Sequence, residues 1–392
     1  LAGAALVRLL LLFVVSSSLW ETVANHVLVV NPLTRWKPLA EGAFLLEHGM
    51  SPYDGGPCHQ PPLLLTLATL LSRFPLGIIN AYYLFLDLLA GFLLYQVGEA
   101  ATSKGITPKP NGYHLGLVMM SVYLFNPISL ITSMARSSLI YTHLAILSSL
   151  LYALRGSRTW AMCSIALATY LSLYPLVLIT PILLALTHQV PASSRKDVML
   201  SCIGGVLAWT SALHLLSFLL TASWDYLPAT YGFILSIPDL TPNVGLWWYY
   251  LTEMFESFRV FFIGALQLHL FAFAIPVAIR FSDRPDFAFW LLLGIGNAFK
   301  GYPSIGDITV TLALLPLFHG VFAHMRYSFL ISSLFLHALA LSLPFWHLWI
   351  HWGSGNANFF FAVTLVWAAA QIILLVDVVY GMLRVEFSRK WP

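Results

Sequence analysis

The chain has 392 residues, 59% hydrophobic and 9% charged, with a formal net charge of +3. Soluble domains carry about 25% charged residues, so the composition excludes an ordinary soluble enzyme. With no basic tract it also excludes a nucleic-acid binder. At about 20 residues per span plus loops, the length allows on the order of ten to twelve membrane helices.

The first apolar run, Leu1 to Leu19, has no small-residue cleavage site and reads as a retained span. A large loop follows at about 20–61, in which Leu39, Phe44, Leu45 and Leu46 indicate a short amphipathic helix lying on the membrane. Residues 62–73 are too short to span, and 76–97 form the next span. Residues 115–153 read as a hairpin turning near Ser133–Ser138, with Arg136 at the turn. The 160–187 run is too short for two full spans and is broken at Tyr174–Pro175 and Pro181, which predicts short or re-entrant helices. Further spans are expected at 199–221, 259–279, 287–299, 307–325, 328–350 and 359–382.

Basic residues set the sidedness. Lys104, Lys109, Arg155, Arg158, Arg195, Lys196, Arg280, Arg284, Arg326, Arg384, Arg389 and Lys390 mark one face, which the positive-inside rule makes cytosolic. Residues 20–61, 222–258 and 351–358 then share the opposite face. Lys300 is the exception, and reads as a span-end charge that snorkels. The whole chain is expected to be one transmembrane domain, an all-α polytopic bundle.

Two segments on that far face stand out. Trp224–Glu256 is rich in Trp and Tyr, has no Lys or Arg, and is broken by Pro228, Pro238 and Pro242. It reads as a structured shelf at headgroup level. The loop Gly353–Phe360, GSGNANFF, offers uncharged donors and acceptors at Asn356 and Asn358. These suit sugar hydroxyls or phosphate, or they cap an ordinary loop. Asp239, Thr241 and Asn243 either contact a glycan or make local Asx turns around the prolines.

Other candidate chemistry is weaker. Cys58, Cys163 and Cys202 form no CxxC pair, and Cys58 and His59, being adjacent, point apart. His347 and His351 have the spacing of zinc ligands, but Leu348 stands where an HExxH motif needs Glu. Asp87 and Asp377 lie in apolar runs, where a carboxylate needs a partner and is more readily structural than a proton relay.

The far-side loop with Gly49, Ser51, Pro52 and Tyr53 resembles the polyprenyl-phosphate-dependent glycosyltransferases of the multi-spanning C superfamily. That family keeps an Asp-x-Asp pair about sixteen residues earlier for metal and donor phosphate. Here Leu33, Thr34 and Arg35 occupy that place, and no Asp or Glu lies between Glu21 and Glu41. A resemblance over nearly the whole chain is to the PIG-U family, multi-spanning subunits of the glycosylphosphatidylinositol (GPI) transamidase. It is carried by NPLTRWKPLAEG (31–42), GMSPYDG (49–55), LATYLSLYPL (167–176), the block 223–256 and FWHLWIHWGSGNANFF (345–360).

The resemblance implies an endoplasmic-reticulum membrane subunit with no catalytic residue and no cofactor or metal of its own. The nucleophile would be a cysteine on the caspase-like PIG-K subunit, with PIG-T, PIG-S and the GPAA attachment subunit as further partners. This chain would hold the GPI lipid and scaffold the complex. The residues expected to contact the lipid are His351, Trp352, Ser354, Asn356 and Asn358, together with Asp239, Thr241, Asn243 and Trp247. The rival readings are a dolichol-phosphate-dependent mannosyltransferase, disfavoured by the missing acidic pair, and a lipid flippase.

Overall fold

A computed structural model describes residues 1–107 and 112–390; Lys109 lies outside them. Every regular element among the described residues is helical, as hydrocarbon demands of a chain that must satisfy its own backbone.

The first apolar run forms α1 (Ala2–Val14) and then stops. The Ser16 hydroxyl accepts from the Leu19 amide and caps α2 (Ser17–Ala24), so the span expected over 1–19 is broken by a local cap. The amphipathic helix is present as α3 (Trp36–Glu47), with Leu39 and Ala43 buried and Phe44 exposed. It packs on α4 (Pro62–Ser72), which starts on a proline, where the missing amide costs nothing. α5 (Leu76–Ser103) is a continuous span.

The expected hairpin limb divides into α6 (Leu115–Leu124) and α7 (Pro127–Met134), bent by 56°. Pro127 cannot continue the preceding helix, and the Asn126 side chain caps the next one by accepting from the Ile128 amide. After a turn containing Arg136, α8 (Leu139–Arg155) returns and ends at Gly156 in the left-handed conformation. α9 (Arg158–Leu171), a 3-10 turn over Tyr174–Leu178 and α10 (Ile179–Thr187) form the interrupted pair. Pro181 does not break it: it lies in the first turn of α10, where proline is tolerated.

α11 (Arg195–Thr221) leads into the shelf. The shelf contains a π turn (Pro228–Gly232), α12 (Phe233–Ser236) and α13 (Trp247–Glu253). α14 (Glu256–Ala272) and α15 (Ala274–Arg280) run on as one span. α16 (Pro285–Phe299) and α17 (Ile308–Leu314) follow. A 3-10 run (Leu315–His324), α18 (Ser328–Ile350) and α19 (Ala357–Lys390) complete the chain.

Among the described residues, six helices are long and apolar enough to cross a membrane, or seven if the bent α6–α7 pair is one span. This is fewer continuous crossings than about ten, because caps and prolines divide several runs into shorter apolar helices. α16 is apolar on all sides and is accordingly central. Phe287, Phe289 and Trp290 are buried there, and the Trp290 indole donates to the Thr311 carbonyl at 2.9 Å.

Candidate functional site

The three segments expected to share the far face lie close together. Asn31 donates through Nδ2 to the Tyr302 carbonyl at 2.7 Å, and His26 meets Trp346 edge-on at 5.5 Å. His59 donates through Nδ1 to the Ala229 carbonyl at 2.9 Å and stacks on Phe233 at 3.6 Å. Burial lowers the pKa of both histidines; the His351 charge lowers His26 further, and the Ala229 bond partly restores His59.

The shelf and the second loop meet at an aromatic seam. Trp248 is buried, stacked on Trp349 at 6.3 Å and packed edge-on against Phe361 at 5.7 Å. Beside it the Tyr249 hydroxyl donates to Oδ1 of Asn358. The loop itself closes the end of α18. The Ser354 and Gly355 amides both donate to the Leu348 carbonyl, at 3.1 and 3.0 Å. Gly353 takes a positive φ of 63°, which favours glycine. A Cβ at Gly355 would lie 3.2 Å from the Trp349 amide nitrogen, so the tight return needs glycine there too. Asn356 Oδ1 accepts from the Asn358 amide at 3.0 Å and caps the start of α19.

This geometry leaves His351, Trp352, Ser354, Asn356 and Asn358 exposed along one edge, next to Tyr249. The other expected residues sit differently. Asp239 Oδ1 accepts from both the amide and the hydroxyl of Thr241, at 2.8 and 2.5 Å. Asn243 is buried, and its Oδ1 accepts from the Gly245 amide at 2.7 Å. The PDLTPN stretch is thus a turn that satisfies itself, packed on Tyr302 and Pro303. Trp247 is half-buried and donates to the Phe299 carbonyl at 2.8 Å.

Beneath the loops lies a small chamber in two lobes of about 40 and 30 Å³, largely apolar with a few polar groups. Leu33 and Thr34, standing where the glycosyltransferases keep their acidic pair, line it, with His59, Gln60, Thr142 and His143. Thr34 instead accepts the Asn31 amide through Oγ1 at 3.1 Å, within a small Asn31 turn. The lobes are water-sized rather than sugar-sized. Lys300 lines both lobes and pairs with Asp307 at 2.5 Å, each side chain largely buried. Lys300 therefore does not snorkel, because a buried partner neutralises it in place. Asp307 was missed at the level of sequence, although Ser304-x-x-Asp307 is readable as a capping box and both of its bonds form.

Cys58 and His59 form no dyad. The Cys58 thiol is buried against Gln60 at 3.5 Å, and burial pushes it up to about 11. The His347 and His351 rings lie 5.0 Å apart, and no group of three or more metal-ligating side chains occurs among the described residues. Asp87 pairs with buried Arg8 at 2.5 Å, a partner supplied by α1. Asp377 accepts the Arg326 and Tyr327 amides, at 3.0 and 2.9 Å, where α18 begins. Both intramembrane carboxylates are thus satisfied structurally.

The family model for GPI transamidase subunit PIG-U matches residues 2–367. This chain belongs to the PIG-U family. It is 34% identical to the human GPI-anchor transamidase component PIGU, over 95% of this chain and 90% of that protein. It is 36% identical to the GPI transamidase component GAB1 of Saccharomyces cerevisiae, over 96% of this chain and 92% of that protein. The family match covers both the shelf and the 351–358 loop, and the chain spans nearly the full length of these relatives.

Proposed function

We propose that this PIG-U-family chain is a multi-spanning, non-catalytic subunit of a GPI transamidase in the endoplasmic-reticulum membrane. Its far face is lumenal. It works beside a caspase-like subunit that carries the nucleophile, with PIG-T, PIG-S and GPAA-type subunits completing the complex. Its contribution is to hold the GPI lipid so that the ethanolamine amine meets the acyl-enzyme. Fixing two reactants removes several kcal/mol of barrier, so a subunit can be essential without touching the reacting atoms.

The observation that carries this reading is the edge at the aromatic seam. Ser354, Asn356 and Asn358 present uncharged hydroxyl and amide groups beside Trp352, on a rigid base of Trp248, Trp349 and Phe360. Amides suit a glycan, and an exposed indole suits its ring faces or the headgroup layer. The Leu33–Thr34 stretch offers no carboxylate, and Asp307, which lines the water-sized chamber, is held in an ion pair by Lys300; both favour a holding role over glycosyl transfer.

The test is photocrosslinking of a GPI analogue in microsomes containing the assembled complex. Replacing both Asn356 and Asn358 with Ala is expected to remove crosslinking to this subunit while the complex still assembles. Crosslinking at the wild-type level would overturn the site.

A further inference from the structure

A second cavity on the far face has no part in that reading. It measures about 510 Å³ and lies between α1, α2, α3, α5 and the turn after α7. That is within the range of small-molecule sites, about 300–1,000 Å³. Its inner wall is apolar: Leu12 and Val15 from the end of α1, Leu76 at the start of α5, and Met134. Its rim carries the indoles of Trp20 and Trp36, the cations Lys37 and Arg136, and the carboxylate of Glu21.

Arg136 is the unusual residue. It has φ +54°, a left-handed conformation that non-glycine residues hold only when their surroundings over-determine it. Its side chain is half-buried, and its Nε is buried with no hydrogen-bond partner. Arg136, Lys37 and Glu21 take part in no ion pair among the described residues. A strained arginine with an unmet donor, lining a cavity that Lys37 also lines, calls for an anion with several acceptor oxygens. The guanidinium fork matches carboxylate and phosphate oxygens bidentately, and a phosphodiester is the form that a membrane surface supplies.

We propose that this cavity binds the headgroup of a zwitterionic glycerophospholipid from the lumenal leaflet. The phosphodiester sits on Arg136 and Lys37, the head amine turns to Glu21 and the two indoles, and the glycerol and first acyl carbons lie along Leu12, Val15 and Leu76. Glu21 on the same rim disfavours a lipid with further negative charge, and an ammonium group stabilises it. Indole faces attract such a cation. A free phosphate would leave the apolar wall wet, so the lipid form is the one the cavity fits. The site is separate from the seam, and its occupancy does not depend on the assignment of the GPI lipid.

The experiment uses the assembled complex in microsomal membranes. The probe is phosphatidylethanolamine with a photoreactive group near the ester end of one acyl chain. Label is expected in the peptides around 12–25, 36–40 and 76–80, also in membranes unable to make GPI. Arg136→Gln should reduce it about tenfold, the loss expected for a charge-assisted bond in a partly dry site, and Arg136→Lys should retain part of it. Lys37 is exposed on α3, so Lys37→Gln leaves the fold intact and should reduce labelling by itself. Equal labelling by a diacylglycerol probe with the same chains would overturn the proposal. So would displacement of the label by millimolar inorganic phosphate, labelling that vanishes without GPI, or labelling unchanged in both neutralising variants.

Discussion

Neutralising one member of the Lys300–Asp307 pair tests whether the chamber is structural. The side chains are 11% and 5% exposed, and Asp307 also accepts the Ser304 amide through Oδ2 at 2.7 Å. Lys300→Met leaves a buried carboxylate without its counter-charge; Asp307→Asn leaves a buried ammonium but keeps an acceptor for Ser304. Removing one partner of such a pair costs about 3–5 kcal/mol. The adjoining lobe of about 40 Å³ has room for water, which softens the penalty toward the lower figure, about 3 kcal/mol for each single variant. The double variant has no buried charge to strand, so it is expected to lose less than either single variant, about 0–1 kcal/mol rather than the additive 6 or so. The readout is equilibrium unfolding in mixed micelles, followed by tryptophan fluorescence across the four-member cycle. Single variants that lose less than about 1 kcal/mol, or a double variant that is additive, would refute the argument that the two charges hold each other in place.

Trp248 underlies the seam, and Trp248→Ala should cost about 3–5 kcal/mol by removing a buried indole; protease nicking within 351–358 in opened microsomes should rise with it. Tyr249→Phe removes only one partly solvated hydrogen bond, about 0.5–1.5 kcal/mol, and should leave nicking near the wild-type rate. Acid should loosen the same face. His26 and His59 titrate below their ordinary value of 6.5 because burial disfavours the imidazolium. Below that value the unfolded chain binds more protons than the folded one, so stability is level above about pH 6.5 and falls as pH drops. Thermal midpoints at pH 7.5 and 5.5 read this directly, and a His59→Gln, His26→Gln double variant should flatten the difference. A wild-type midpoint that rose on acidification would contradict the burial argument.

The all-helical, membrane-spanning character was legible because it is written in composition. Gaps without Lys or Arg singled out 222–258 and 351–358, and the structure joins them through Tyr249 and Asn358, beside the stack of Trp248 on Trp349. Local breaks were legible only in part. Tyr174–Pro175 interrupts a helix as expected, whereas Pro181 falls at a helix start and does nothing. Asn126–Pro127 was readable as a cap followed by a first-turn proline, yet it lay inside a run apolar enough to mask it. Charge pairing between elements was not legible. Nothing near Lys300 in hydropathy announces Asp307 as its partner, or Arg8 as the partner of Asp87, because those contacts join different helices. The unmet donor at Arg136 was equally invisible, since it depends on where three other helices end.

The two asparagines of the 351–358 loop do different work, and the difference decides how their variants should be read. Asn356 spends its carbonyl oxygen on the Asn358 amide, where it caps a 34-residue helix. Losing such a cap costs about 0.5–2 kcal/mol, so Asn356→Ala mixes a structural loss with any loss of ligand contact. Asn356→Ser keeps an oxygen for the cap and removes the amide donors. Asn358 caps nothing; its side chain meets Tyr249 at an exposed edge. Asn358→Ala therefore removes a candidate glycan contact at little structural expense. If the edge holds the lipid, Asn356→Ser and Asn358→Ala should both lower GPI crosslinking while the thermal midpoint stays near wild type. Crosslinking that fails in Asn356→Ala but survives in both of these would make the loop a helix cap and move the lipid elsewhere on the face.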